Sequence, residues 1–421
     1  MQELSIPNFL HKQPVYRDIY EQFCTDASFL WLLRSIVVDQ PHYNLSDLAG
    51  LEQRIDAHLD GLMTNVDTGW AACKAALEFE EPGEVFTAMV IAVRSHDVNK
   101  IKHAVTVGVK STRNMAALTS ALGWLSDELS LPWIQRFLNG KDMEHKLLGI
   151  SSCSIKRHDP AEMINKILSK NTCLDDIVLY SRTIRLVGEL RRQDCMPALS
   201  VAKKHANPQV IFWAHWSSIL LGDKSSLMSL KSFVFDTTSE FHDLAIQIVF
   251  RKLTIENARM WISQLAKDSA MNRTVIKATA VLGDPHAVNW LIEQMRDNKL
   301  AKLAGEAFVL ITGSDLQVNQ LTMVTPSSHP LYPNDDSDSE DVGLDEDENL
   351  PHPDINKVTA LWRSIGTNFI VGQRYFMGKS ISINWLQYII NNGTQRQRHS
   401  AALELALISP NGKFPNTRAK V

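Results

Sequence analysis

The sequence predicts an all-α protein, an α-solenoid in which helix pairs are stacked one after another. The first indication is a helix–corner–helix pattern over residues 276–291, with its corner at Gly283 and Asp284. The second is recurrence, because weaker copies follow one another at separations of 32, 35, 29, 31 and 30 residues. Their corners lie near Asp127, Asp159, Asp194, Asp223, Thr254 and Asp284. Such a period is typical of stacked helix pairs, which can extend a chain of 421 residues without one large core.

Residues 1–68 are predicted to form an N-terminal helical segment. Residues 27–37 are largely apolar, and Ser46 and Asp47 can cap a second helix. After this cap, apolar residues recur at helical spacing. They are Leu48, Leu51, Ile55, Leu59 and Leu62. The repeats themselves are predicted to occupy residues 69–321.

Glycine and aspartate punctuate the repeats. Gly123, Gly222 and Gly283 stand where the first helix of a pair is expected to end, and glycine accepts the left-handed conformation of a helix C-cap. Asp followed by Pro then begins the next helix, as at Asp159 and Asp284. We interpret these residues as caps, not as ligands or catalytic acids. The corner near Thr254 lacks the Gly-Asp pair, which predicts an irregular repeat there.

An acidic, Pro- and Ser-rich stretch interrupts the helical pattern at residues 322–353. Nine acids and no base lie within 335–348, and such a segment is predicted to be a flexible linker. Outside it, 43 basic residues face 38 acidic ones, so the rest of the chain carries a charge of about +5, against −4 for the whole. Helical periodicity returns over 354–421, which predicts a small C-terminal helical module.

Cysteine usage and hydropathy indicate the compartment. The five cysteines are scattered without a C-x-x-C pair, which suits buried thiols in a reducing environment. The first residues show neither a basic nor an apolar signal region, and no apolar run reaches the length of a membrane span. We therefore expect a cytoplasmic protein that does not enter a membrane.

The sequence contains only incomplete forms of the motifs that bind phosphate or metal ions or carry out catalysis. Residues 372–380 resemble a phosphate-binding loop, but the spacing is one residue too long and no strand precedes it, so we interpret it as a turn between helices. The acidic run lacks the glycine of a calcium-binding loop, and the histidines form no metal-ligand pattern. Arg54 and His58 lie one helical turn apart in the segment 54–60, which could carry acid–base chemistry on one helix. Such a pattern is more often a salt-bridged helix surface. The sequence thus predicts no catalytic, cofactor or metal site, and a protein that is not an enzyme.

Two basic clusters are the candidate partner-binding residues. Basic side chains near aromatic ones are typical of single-stranded nucleic-acid sites and equally of protein interfaces. The first cluster comprises Arg182, Arg185, Arg191 and Arg192, and the second comprises Arg374, Tyr375, Arg396 and Arg398. Because the chain outside the acidic run is only mildly basic, we favour a protein partner over nucleic acid.

Several stretches carry a resemblance to a known family. They are residues 39–48 with 54–62, residues 303–308, residues 395–406, and the Pro-His-Pro-Asp segment at 351–354 after the acidic run. In these the chain resembles a bacterial HEAT-repeat-like family of uncharacterised proteins that are often encoded near type VI secretion genes. The resemblance implies a role near the loading of secretion effectors, and it supplies no catalytic residues to carry over.

Two functions of different classes remain open at this point. The first is a non-enzymatic scaffold or adaptor that binds a type VI secretion effector or structural component. The second is a HEAT-like DNA-binding or DNA-repair glycosylase, which would need a basic groove with an aromatic wall and a carboxylate. Loss of duplex DNA binding with rising salt would favour the second function.

Overall fold

The computed structural model describes residues 16–323, 346–409 and 412–421. These residues are predominantly α-helical, and the one hairpin among them pairs Tyr375–Phe376 (β1) with Lys379–Ser380 (β2) in antiparallel register. The predicted all-α fold is therefore confirmed. Most of the acidic run, residues 335–345, and the first 15 residues of the predicted N-terminal segment lie outside the described residues.

The helices have the following bounds, in chain order. They are α1 (Arg17–Val37), α2 (Leu45–Met63), α3 (Val66–Ala76), α4 (Pro82–Arg94), α5 (Val98–Gly108), α6 (Thr112–Trp124), α7 (Asp127–Asn139), α8 (Met143–Lys156), α9 (Glu162–Ser169), α10 (Asn171–Leu174), α11 (Ile177–Leu190), α12 (Met196–Ala202), α13 (Pro208–Leu220), α14 (Ser226–Ser229), α15 (Lys231–Phe235), α16 (His242–Lys252), α17 (Ile255–Leu265), α18 (Asn272–Leu282), α19 (Val288–Gln294), α20 (Ala301–Thr312), α21 (Ile355–Ile365), α22 (Ile383–Asn392) and α23 (Gln395–Ile408). Short 3-10 helices lie at Leu77–Phe79, Gln193–Cys195, Ser269–Met271, Pro285–Ala287 and Gly366–Asn368.

The first compact unit comprises residues 16–37, 46–156 and 419–421. Alternate helices α4, α6 and α8 pack side by side, as the first helices of stacked pairs do in a solenoid. Its core includes Trp31 stacked on Phe86 at 4.9 Å and a buried ion pair between Arg34 and Glu52 at 2.8 Å. Cys24 and Cys73 are buried in this unit with their sulfur atoms 3.9 Å apart.

The second compact unit comprises residues 38–45 and 157–418. Here α16, α18 and α20 form one layer, and α17 and α19 pack onto it through α18 and α20. The helices α22 and α23 form an antiparallel pair that contacts α13 and α16 through α23. The apolar core between α18, α19, α20 and α21 is centred on Ile276, Leu291, Phe308 and Val358, all fully buried.

The corner residues act largely as predicted. Gly283 ends α18 with a left-handed φ of 72°, and Asp284 accepts a hydrogen bond from the His286 amide at the start of the next turn. Thr254 accepts one from the Asn257 amide, so the corner that lacks Gly-Asp is still capped by a side-chain oxygen. Gly123 does not end a helix: it lies within α6, where an added Cβ would stand 2.4 Å from Ile155.

The domain boundaries differ from those predicted. The compact units divide at 37/38, 45/46, 156/157 and 418/419, not at 68/69 or 321/322, and the C-terminal helices belong to the same unit as α11–α20. Residues 346–353 of the predicted linker are packed on that unit. Thr322 forms a β-bridge with Pro353, the Asp354 amide donates to the Leu321 carbonyl at 2.7 Å, and Asp347 is buried. The prediction of a flexible linker is wrong for these residues, because their polar groups find partners on the unit.

Candidate functional site

The second unit contains a cavity of about 630 Å³ that is lined by aromatic, basic and acidic side chains. Its aromatic residues are Trp213, Trp216, Tyr375, Phe376 and Phe414. Its basic residues are Arg157, Arg185, Arg251, Lys277, Arg374, Arg396, His399 and Arg418. Its acidic residues are Asp39, Asp243, Glu306, Glu346, Asp347 and Glu404. A concave site with an apolar wall and several converging polar groups is the usual form of a binding site.

Close packing of α11 against α13 builds the aromatic wall. A Cβ added at Gly188 would lie 2.6 Å from the Ser217 hydroxyl, so a larger residue would push the two helices apart. The same hydroxyl donates to the Ile184 carbonyl at 2.8 Å. This approach places the Arg185 guanidinium 4.4 Å from the centre of the Trp213 ring, in cation–π geometry.

Three arginines converge on one buried carboxylate, Glu189. Arg185 donates to it at 3.0 Å, Arg182 lies at 3.5 Å and Arg157 at 3.4 Å. Burial lowers the pKa of Arg182 to about 10, although the attraction of Glu189 opposes that shift. Positive charge is therefore in excess around Glu189.

Arg251 and Arg374 share a second buried carboxylate, Glu404. Arg374 donates to the two carboxylate oxygens at 2.9 and 2.7 Å, and to the carbonyls of Leu282, Arg251 and Val281 at 2.9, 2.8 and 3.4 Å. These five bonds use all the N–H donors of a guanidinium. Arg374 thus closes the C-terminal ends of α16 and α18, and has no donor left for a partner.

A second part of the cavity wall carries three acids, Asp243, Glu306 and Glu346, and two bases, Lys277 and Arg396. Lys277 pairs with Asp243 at 2.7 Å and with Glu346 at 3.5 Å. Arg396 pairs with Glu306 at 3.0 Å and also donates to the Glu346 carbonyl. Burial raises the pKa of the Glu306 carboxyl above its ordinary value, although Arg396 opposes the shift.

The structure brings part of the two predicted basic clusters together. Arg185 of the first cluster and Arg374, Tyr375 and Arg396 of the second line the same cavity, although they are far apart in sequence. Arg182 contacts Glu189 without lining the cavity. These residues therefore form one candidate site in place of two separate patches.

Three predicted partner-binding arginines lie elsewhere and hold the chain together. Arg191 donates to the carbonyls of Leu220, Ser409 and Gly412. Arg192 pairs with Asp159 and Asp194, both at 2.7 Å. The third, Arg398, is buried and donates to the carbonyls of Ile390 and Thr417 and to the Gln395 side chain. None of the three lines the cavity, so the structure supports intrachain roles for them.

An extended segment of the chain itself lies along the cavity. The Phe414 amide donates to the Glu189 carbonyl at 2.9 Å, and the Phe414 carbonyl accepts from Arg157 Nε at 2.6 Å. The Phe414 ring lies 6.0 Å from the Trp216 ring and 5.4 Å from the Arg157 guanidinium. The site can thus hold an aromatic residue of an extended peptide through both its backbone and its ring.

Sequence reasoning missed the tryptophans and Phe414. Trp213 and Trp216 are three residues apart on α13, a helix that is apolar on all sides, and that pattern resembles an ordinary core helix. Phe414 lies beyond the last helix, where no periodicity marks it. Lys277 also has no basic residue directly beside it in the sequence that would mark a cluster, and Arg157 lies in the short basic run 156–158, which the sequence reasoning did not single out.

The segment that resembles a phosphate loop is the β1–β2 hairpin. Its residue Tyr375 donates from its amide to the Gly283 carbonyl at 2.8 Å, and the Gly372 amide donates to Asp284 at 3.1 Å. The Lys379 ammonium lies 4.0 Å from the centre of the Trp385 ring. The hairpin is therefore packed on the repeat corners and does not form a phosphate cradle.

Comparison with protein-family models, with curated proteins and with solved structures found no match. Among residues 16–323, 346–409 and 412–421, no helix has both the length and the apolar character needed to cross a bilayer. Within the same residues, no three His, Cys, Asp or Glu side chains are grouped so that they could hold a metal ion.

Proposed function

We propose that this protein is a non-enzymatic scaffold or adaptor that binds a segment of a partner protein in the cavity of its second unit. Because stretches of the chain resemble the HEAT-repeat-like family, we propose as partner a type VI secretion effector or structural component, in the cytoplasm. The observation that carries the proposal is the wall on which Arg185 stacks over Trp213, beside Trp216 and Phe414. Tryptophan and arginine are the residues that most often dominate protein-interface energies.

The charges of the cavity favour a protein over nucleic acid. Duplex DNA presents one negative charge per ~1.7 Å of its axis, and a groove that binds it is predominantly basic. Here Asp39, Asp243 and Glu346 line the cavity together with the arginines. The cavity wall therefore combines paired acidic and basic groups, which a peptide of mixed polarity matches better than a continuous phosphate backbone does. This argues against the glycosylase alternative.

The proposal is tested by affinity purification of the tagged full chain from its native host, after nuclease treatment, with quantitative mass spectrometry. Leu244 lines the cavity and is 40% exposed, so Leu244→Trp narrows the cavity without a change of charge. Val201 is 69% exposed and does not line the cavity, so Val201→Trp is the matched control.

We expect one or a few proteins to be enriched with the wild type and with Val201→Trp, and to be lost with Leu244→Trp. Enrichment that is the same for both variants would remove the cavity from the proposal. Recovery of nucleic acid alone, in samples without nuclease, would support the DNA-binding alternative.

A further inference from the structure

Arg185 differs from the other arginines of the cavity in the donors that it has left. Its Nε donates to Glu189 at 3.0 Å, and its side chain is 40% exposed. Within the part of the chain that the structure describes, neither terminal nitrogen of Arg185 has a hydrogen-bond partner. Four N–H groups of this guanidinium, on a residue that lines the cavity, are therefore available to a ligand.

Stacking fixes the direction of those donors. The Arg185 guanidinium lies 4.4 Å from the centre of the Trp213 ring, while Nε is bonded to Glu189. A guanidinium held in this way presents its two terminal nitrogens as a fork, which matches the two oxygens of a carboxylate. The ligand group that completes this geometry is a carboxylate.

The local charge also calls for an anion. Five guanidinium groups contact the two carboxylates Glu189 and Glu404. They belong to Arg157, Arg182, Arg185, Arg251 and Arg374. Burial lowers the pKa of Arg251 to about 10, with Glu404 opposing the shift and Arg374 adding to it. A further carboxylate would relieve the repulsion among these cations.

Glu346 and Asp347 show how the wall of the cavity receives acidic residues of the chain itself. Glu346 places its carboxylate 3.5 Å from Lys277, and its carbonyl accepts from Arg396. The neighbouring Asp347 pairs with Arg273 at 2.6 Å. Side-chain and backbone groups of an acidic dipeptide are thus bound together on this wall.

We propose that Arg185, stacked on Trp213, is the anchor for an aspartate or glutamate side chain in an acidic, partly apolar segment of the partner. The inference rests on the proposed function and adds the chemistry of the ligand. Leu244, which is 40% exposed, contacts an apolar residue that flanks the acid, and the excess of arginine around Glu189 and Glu404 attracts the segment.

The test is fluorescence anisotropy with the full chain and two probes. The first probe is a fluorescein-labelled, C-terminally amidated hexapeptide of alternating Leu and Glu, and the second has Gln in place of Glu. The proteins compared are wild type, Arg185→Gln, Arg185→Lys and the control Arg296→Gln. Arg296 is an equally charged residue that is 65% exposed and lies outside the cavity.

We expect the wild type to bind the Glu peptide and not the Gln peptide. The affinity for the Glu peptide should fall as the salt concentration rises. Loss of the two charge-assisted bonds of the fork should weaken the binding of the Glu peptide to Arg185→Gln about tenfold or more. Arg185→Lys keeps the charge and loses the fork, so its loss should be smaller, and Arg296→Gln should bind as the wild type does. If Arg185→Gln melts at a lower temperature than the wild type, the affinities of Arg185→Lys and wild type for the Glu peptide are compared instead, and a weaker affinity of Arg185→Lys supports the anchor.

The inference is overturned if the wild type binds neither peptide or both equally, or if Arg185→Gln binds the Glu peptide as the wild type does. Displacement of the peptide by duplex DNA at lower concentration than by unlabelled peptide would assign the anchor to nucleic acid. A partner whose capture depends on Leu244 but not on Arg185 would leave the proposed function standing and remove this inference. Binding of the Glu peptide through Arg185, with no partner captured from the host, would leave this inference standing and remove the proposed function.

Discussion

Two glycines that both have a positive φ but different surroundings allow the packing of the hairpin to be measured. Gly283 has φ of +72° and Gly222 has φ of +99°, so an alanine at either position adopts a conformation that L residues disfavour. That strain costs about 1–2 kcal/mol at each position. Beyond it, a Cβ at Gly222 would meet nothing within 4 Å, whereas one at Gly283 would lie 2.2 Å from the Tyr375 carbonyl oxygen.

Gly283→Ala must therefore also displace β1. The Tyr375 amide donates to the Gly283 carbonyl at 2.8 Å, and loss of this bond costs about 1 kcal/mol. We expect Gly222→Ala to lower the free energy of unfolding of the second unit by about 1–2 kcal/mol. Gly283→Ala should lower it by at least about 1 kcal/mol more, since strain and displacement add.

The assay is urea denaturation followed by tryptophan fluorescence, with amide hydrogen exchange of Tyr375 as a local readout. Exchange at Tyr375 should accelerate in Gly283→Ala and stay unchanged in Gly222→Ala. Equal losses of stability in the two variants, with unchanged exchange at Tyr375, would refute the reasoning that the hairpin is held at this corner.

Three further predictions concern single side chains. Burial lowers the pKa of His215 to about 4, so between pH 6.5 and 4 only the unfolded chain gains its proton, and stability should fall by up to about 3 kcal/mol as pH drops. A pH series of urea denaturations should show a smaller drop in His215→Gln. Arg374→Met should lower the free energy of unfolding by about 3–5 kcal/mol, because Arg251 is then the one base among the described residues that still pairs with Glu404. The double variant Arg374→Met, Glu404→Met should recover part of this loss in the same assay. Gly50 is exposed within α2, and a Cβ added there would meet nothing within 4 Å. Gly50→Ala should therefore raise the free energy of unfolding of the first unit by about 0.5–1 kcal/mol, which is measured as a higher melting temperature.

The helices and their caps could be predicted because their signals are local. Asp284 and Thr254 cap helices through amides two or three residues away, and Gly283 needs only its own φ. Gly123 could not be assigned in the same way. A glycine that ends a helix and one that admits Ile155 from α8 look alike in sequence.

The packing of residues 346–353 and the composition of the cavity could not be predicted, because both depend on pairing between residues that are far apart in the sequence. Acidic composition predicts a solvated segment, yet Asp347 is buried against Arg273, 74 residues away in the chain. The same holds for the arginines. Residue type marked Arg185 and Arg374 equally, but only the fold shows that Arg374 uses all its donors and Arg185 does not.

Photo-crosslinking in the native host tests most directly whether the cavity of the second unit binds a protein. A benzophenone-bearing residue is placed at Leu244, in the cavity wall, and in a parallel strain at Val201, outside it. We predict a discrete protein adduct at position 244 that is absent at position 201 and is lost when Arg185→Gln is added. Equal adducts at both positions, or an adduct at 244 with nucleic acid only, would contradict the account.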